Sequence, residues 1–387
     1  MKRRIAVSLL FPLLLVGCGG GNKQPVEAGD LVAVDVTADY PKKELVLQDL
    51  MDVEYVPLET SDEFLVKGRV MDVGKKFIAV SNKKEGDILL FDRTTGKALK
   101  KINRKGQGPE EYVLTYSLLL DEDKNEMFVN DPFSAKIQVY DLDGNYKKSI
   151  SYNNKMIIFV FYHYNEDYFL AEEICVPGNE GSANTFFLLS KQDGSMKEIK
   201  IPYKKRKSVV LAKQEGEMAM TSSPQNGFIV PFQNGWTLAE PSADTVYLYR
   251  RDNSLRPFIV RTPSVQAMNP EVFLFPGALT DRYYFMQTVK KEFDFDKDEG
   301  FPTTDLMYDK QEKKIYQYTL LNKDFKERKE DMFLRNLSNK IAFHVALEAS
   351  DLMEANEAGK LNGKLKKIAS ELDEESNPVI MLVRYKK

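Results

Sequence analysis

The side chains best placed to do chemistry lie in one glycine-rich run, Asn103-Arg104-Lys105-Gly106-Gln107-Gly108-Pro109-Glu110-Glu111-Tyr112. Arg104 and Lys105 are suited to pairing with a carboxylate, sulfate or phosphate, Gln107 to hydrogen-bonding hydroxyls, and Tyr112 to stacking on a sugar or aromatic ring. Turn chemistry alone accounts for the same composition, with glycine and proline shaping a tight crossing and the charges solvated. Asp294-Phe-Asp-Lys-Asp-Glu-Gly300 has the alternating carboxylates of a calcium loop. However, its glycine stands seventh rather than sixth and Asp305 stands where that loop needs glutamate, so a charged hairpin is the better account and no metal site is expected. The two histidines, His163 and His344, cannot build a His-rich zinc site, and neither has a G-x-S-x-G partner for a serine triad. Both read as half-buried strand residues. Trp236 reads as strand core or a sugar platform, Lys204-Lys205-Arg206-Lys207 as a solvated loop or an anionic-polymer contact, and Cys175 as a small buried apolar residue. No convergent acid, base, nucleophile or cofactor fingerprint emerges.

The elements that must position these residues are short and repeated. From Val53 to Leu320 the chain alternates apolar runs rich in Val, Ile, Phe, Tyr and Leu with Asp/Asn/Gly/Lys turns, the pattern of β-strands. Five stretches align as strand, polar turn and strand: 88–102, 137–150, 187–199, 246–259 and 306–319. They recur every 50 to 60 residues or so, the period of propeller blades rather than of short solenoid repeats. Each is preceded by one or two further strand-like runs, such as 68–80 and 117–129, so each period supplies about four strands and the chain about six blades. The fold class is therefore all-β, a six-bladed β-propeller. The isolated strands 53–58 and 379–385 are expected to share the last blade and close the ring. Asp121-Glu-Asp-Lys-Asn125 is the turn of an inner hairpin. Asp351 to Glu374 breaks the pattern as a helical insertion in the last blade, with Ser350 as N-cap and Gly359 and Gly363 dividing it into one helix or two. It either packs on the propeller flank or docks a partner.

Composition bounds the rest. The chain has 387 residues, 43% of them hydrophobic, with 55 basic and 58 acidic residues interspersed and a net charge of −3. That is ample for a large core and leaves no basic field for nucleic acid.

The N-terminus carries its own signal. Met1 to Arg4 is basic, Ile5 to Val16 is apolar but too short to span a bilayer, and Leu15-Val16-Gly17-Cys18 resembles the lipobox of bacterial lipoproteins. The resemblance implies that residues 1–17 are a signal peptide and that Cys18 is the acylated first residue. Residues 18–40 are then the anchor and tether, and 41–387 form a single propeller domain. Gly19 is not the aspartate of an inner-membrane retention signal, which favours the outer membrane, on either face. The run Arg104 to Tyr112 resembles the inter-blade signature Arg-Lys-Gly-x-Gly-Pro-Gly-Glu-Tyr of six-bladed β-propeller lipoproteins of Bacteroides-type bacteria, within the NHL-like and TolB-like propellers. The ending Asn377-Pro378, an apolar strand and Lys386 is similar too. Glu110 replaces a glycine of the pattern, which makes a positive φ there uncomfortable. That family implies a fold and an envelope location without an activity.

The sequence thus points to a non-catalytic propeller, held to a membrane by lipid, that recognises a glycan, small molecule or protein near its channel. A carbohydrate-active lyase or hydrolase on the same scaffold, or a TolB-like interaction module, are the rivals. Cys18→Ser is expected to release the protein from membranes; labelled palmitate still incorporated into that variant would overturn the lipobox assignment.

Overall fold

The computed structural model describes residues 31–173, 184–216, 218–333 and 340–386. Cys18 and Cys175 lie outside these residues. Alternation is what makes the sheets. In Ser117–Asp121, Leu118 and Leu120 face a cluster with Met71, Ala79, Ile88 and Leu90, whereas Leu119 faces the opposite one with Phe161, Phe169 and Leu189. An apolar run therefore serves two interfaces at once, which suits a strand buried on both sides. Each such Leu or Phe contributes about 1.5–3 kcal/mol by leaving water.

Among the described residues, six sheets of three or more strands result, each a propeller blade, beside two two-stranded hairpins. Blade 1 spans 69–103, blade 2 117–151, blade 3 158–199, blade 4 229–262 and blade 5 272–322, each built on four antiparallel strands. In every one, the outer hairpin is the repeat read from the sequence: Asp87–Asp92 with Ala98–Asn103, Lys136–Tyr140 with Tyr146–Ser151, Phe186–Ser190 with Met196–Ile199, Thr245–Arg250 with Leu255–Thr262, and Thr303–Asp309 with Lys314–Asn322. A short charged hairpin, Phe293–Asp294 with Glu299–Gly300, branches from blade 5, and Lys297 pairs with Asp294 at 3.1 Å.

The N-terminal part of the fold winds around the rim. Strand β1 (Val32–Asp35) adds in parallel to the outer strand of blade 4, β2 (Lys42–Val46) adds in parallel to that of blade 5, and β3 (Met51–Pro57) enters blade 6. Within the span assigned to the tether, then, Val32–Asp35 is strand. The reason is that blade 4 offers an unpaired outer edge with Ile259 and Val260 in register. Blade 6 contains Ile341–Leu347, Val379–Tyr385 and β3, so the two ends of the propeller lie side by side, Met51 opposite Tyr385 and Pro57 opposite Val379.

Between Ile341–Leu347 and Val379–Tyr385 lie two helices, Ala349–Glu357 and Gly363–Ala369. Gly359 and Gly363, both at positive φ, separate them. Leu352, Leu361, Leu365 and Ile368 pack with Leu45, Leu47 and Tyr55, so the insertion covers the flank of blades 5 and 6. Ser350 is not the N-cap: the helix begins one residue earlier, Glu348 holds the cap position, and no side chain bonds there.

The seam is clasped by Asn377. Its carbonyl accepts from Val66 N at 2.8 Å, and its amide nitrogen donates to Glu59 O at 2.8 Å and Phe64 O at 2.6 Å. Asn377 is 4% exposed, so truncation strands three part-buried backbone groups. Asn377→Ala is expected to lower unfolding free energy by about 3 kcal/mol, at roughly 1 kcal/mol per bond. Urea denaturation measures it, and a loss under about 0.5 kcal/mol, the level of an ordinary surface change, would remove the clasp from the account.

Candidate functional site

The run Arg104 to Tyr112 is the link from the outer strand of blade 1 to the inner strand of blade 2. The side chains of Arg104, Lys105, Glu111 and Tyr112 bond to the protein's own backbone. The Tyr112 ring is fully buried edge-to-face against Tyr140, and its hydroxyl donates to Gly86 O at 2.6 Å while accepting from Arg104 N at 3.1 Å. Burial pushes its pKa up to about 12. The flat face expected for ligand stacking is thus enclosed. Arg104 Nε donates to Gly144 O at 2.8 Å, and Lys105 Nζ to Lys84 O at 2.6 Å. Gln107 borders a cavity of about 60 Å³, room for water rather than for a sugar. Gly106 is needed for space: a Cβ there would stand 1.8 Å from Glu111 Oε2, whose carboxylate accepts from Gly108 N at 2.8 Å. Glu110 has an ordinary negative φ, so the glycine of the family pattern is not required.

The large cavity is at the other end of the channel. Its volume is about 710 Å³, within the range of small-molecule sites. The turns between first and second strands form its rim: Gly74 and Lys75 from blade 1, Asp121 to Lys124 from blade 2, and His163 to Glu166 from blade 3. Lys191, Arg251, Lys340 and Arg384 complete the wall.

Carboxylates at this rim tie blades together. Glu122 accepts from the backbone of Lys75 at 2.9 Å, Lys76 at 2.9 Å and Phe77 at 3.0 Å, stitching the turn of blade 1 to blade 2. Asp123 pairs with Lys75 at 2.6 Å, and Glu166 pairs with Lys124 across blades 2 and 3. Glu54 of β3 bridges Arg93 at 2.8 Å and Arg384 at 2.6 Å across the seam. Seven lining residues are cationic and four acidic, so positive charge is in excess within a chain whose net charge is −3.

His163 lies beneath the rim. Leu120 of the neighbouring blade donates its N–H to Asp72 at 2.8 Å, and its carbonyl meets His163 Nε2 at 3.2 Å. That contact requires a proton on Nε2, leaving Nδ1 to accept from Lys191 Nζ at 3.4 Å. Burial first, and the Lys191 charge second, lower the His163 pKa to about 4. Lys191 Nζ also donates to Asn165 O at 2.7 Å and lies 4.9 Å from the Phe169 ring centroid; burial pulls its pKa down. Arg251 is exposed, 5.9 Å from the Trp236 ring, and Trp236 is core, packed on Tyr164 at 4.9 Å. His344 is in blade 6. Lys207 of the basic run pairs with Glu271 at 2.7 Å.

The rim was not visible in advance because Asp121 to Asn125 has the composition of any solvated turn. Its one signal was that the corresponding turns of three successive blades are all charged, which aligning inner rather than outer hairpins would expose.

A family model described as "Domain of unknown function (DUF4934)" matches residues 31–262, more than half of the chain. Among solved structures, a protein of Bacteroides fragilis described as exported is 16% identical, over 92% of this chain and 100% of that one, with a TM-score of 0.58. A member of the duf4221 family from Bacteroides vulgatus is 9% identical, over 88% and 99%, with a TM-score of 0.48. The first likeness bears on the fold alone. No curated protein sequence matches the chain. Among the described residues, no helix is long and apolar enough to cross a membrane.

The His163 environment has a pH consequence. Its folded pKa of about 4 lies below the ordinary 6.5, so the unfolded chain binds the extra proton between these values. The stabilising contribution is fully present above about pH 6.5 and is lost as pH falls toward 4, by about 3 kcal/mol in all. Denaturation of the protein and of His163→Gln at pH 7.5, 6, 5 and 4.5 is expected to show the steeper acid loss only with histidine; equal slopes would remove His163 as the cause.

Proposed function

We propose the following for this chain, which belongs to the DUF4934 family: it is a lipid-tethered envelope protein that binds an anionic ligand at the Lys75–Glu166–Arg251 mouth of its propeller, without catalysis. One observation carries the reading, the surplus of cations around a cavity of about 710 Å³ in a chain of net charge −3. Such a mouth concentrates anions and orients them through charge-assisted bonds. Three of the four acids at the mouth are engaged between blades, Glu122 on three backbone N–H groups and Asp123 and Glu166 on lysines, and Asp121 accepts from Lys124 N in its own turn. His163 is neutral with both nitrogens engaged. Recognition without turnover suits that arrangement better than hydrolysis or elimination.

The envelope location is supported by the lipobox-like Leu15 to Cys18 and by the exported description of the Bacteroides fragilis protein. An acidic glycan fits the cavity's size and sign. TolB-like protein docking would need an apolar face, and the large exposed apolar side chains among the described residues are Leu31, Leu99, Val113 and Phe133, none of them at this rim.

Calorimetry with acidic and matched neutral oligosaccharides tests the proposal. Acidic ligands are expected to bind, more weakly as salt rises. Arg251→Ala is expected to weaken binding by about 1.5–3 kcal/mol with little change in Tm, since the side chain is exposed. Equal binding of neutral sugars, or a salt-independent affinity, overturns the anionic reading; cleavage of the bound oligosaccharide, seen by mass spectrometry, overturns the non-catalytic one.

A further inference from the structure

The inner strands Arg69–Val73, Ser117–Asp121 and Ile158–His163 stand next to one another around the channel. Their C-terminal ends form the cavity just described. Their opposite ends carry a different cluster. Tyr116, immediately before Ser117, stacks on Phe159 at 4.3 Å with planes 25° apart, joining blades 2 and 3. Over the Tyr116 ring lie two cations from blade 1: Lys83 Nζ at 4.5 Å from the centroid and Arg69 Cζ at 5.8 Å. Arg69 donates to Tyr116 O at 3.0 Å, which fixes its head beside the ring.

We propose that this end of the channel is a second binding site, for a carboxylate or sulfate group held by Lys83 and Arg69 against Tyr116. Lys83 makes no hydrogen bond or ion pair with any described residue, and its ammonium is partly buried beside a like charge. Burial, then Arg69, lowers its pKa, so its surroundings disfavour the charge that it carries. The ring's negative face offsets part of that cost, and an oxyanion seated between the two heads offsets the rest. The flat Tyr116–Phe159 pair adds a surface for whatever carries the anion, such as a sugar ring. Five residues of strand separate Tyr116 from Asp121, about 16 Å, so this site and the cationic mouth are distinct and can be tested apart.

The test uses the full mature chain with its lysines reductively methylated with carbon-13, titrated with inorganic sulfate, with glucuronate and with neutral glucose. The Lys83 signal, identified by its loss in Lys83→Gln, is expected to move with sulfate and glucuronate and to stay still with glucose. Arg69→Gln is expected to weaken the response about tenfold, Arg69→Lys to retain part of it, and Arg251→Ala at the other mouth to leave it unchanged. Glucuronate binding more tightly than sulfate assigns the site to an acid carried on a sugar; equal binding assigns it to the bare oxyanion. A Lys83 signal unmoved by both anions, or moved equally in Arg69→Gln, overturns the proposal. Crystals soaked in selenate give an independent reading: an anomalous peak within hydrogen-bond reach of Lys83 Nζ supports the site, and its absence at saturating selenate counts against it.

Discussion

Ring closure is the constraint on which the molecule depends. Every blade is apolar on two faces, so an unclosed ring would leave one face of blade 1 and one of blade 6 in water. The pairing of Met51–Pro57 with Val379–Tyr385 removes both, gathering Val56, Leu58, Ile380 and Leu382 with Val70, Ile78, Leu89 and Phe91. Because the two strands come from opposite ends of the chain, the last blade is complete only when both are in place. Asn377 and the Glu54 pairs with Arg93 and Arg384 sit at this junction for the same reason. Lys386 adds to it by donating to Gln48 O and Asp49 O, both at 2.9 Å.

Closure also explains how the charges are distributed. Turns of neighbouring blades approach closely at the channel mouth, and their backbone N–H groups need acceptors. Glu122 serves the turn of blade 1, Asp72 serves Leu120 N, and His163 serves Leu120 O. Acids are thereby drawn into the frame, with Lys75, Lys124, Arg93 and Arg384 paired to them, while Arg251 is left exposed at the cavity. The sign of the mouth follows from the need to satisfy the ring's own polar groups.

What could be read in advance, and what could not, divides along physical lines. The outer hairpins were legible because polar turns punctuate two apolar strands at a fixed interval, and the closing strands because they are apolar runs without a local partner. Gly359 and Gly363 left one helix or two open, and the structure has two. The rim strands β1 and β2 were not: each is four or five residues long, pairs in parallel with a strand more than two hundred residues away, and in β2 begins with two lysines. Tyr112 misled for another reason. A tyrosine in a glycine-rich link has the composition of a ligand platform, and only the fold reveals that Gly86 O takes its hydroxyl. The charged turns at the mouth and the Lys83–Tyr116 contact draw on residues from different blades, so linear spacing carries no trace of either.

The rim winding has a mechanical meaning. If the chain is anchored through Cys18, any tension between membrane and ligand enters the propeller at Val32 and travels along β1, β2 and β3 in that order. The ladders lengthen along this path, with four residue pairs for β1, five for β2 and seven for β3. A pull therefore meets the weakest attachment first, and peeling β1 from blade 4 lengthens the leash before any load reaches the seam. Two sacrificial turns of chain stand between the anchor and the one junction whose rupture would open the ring.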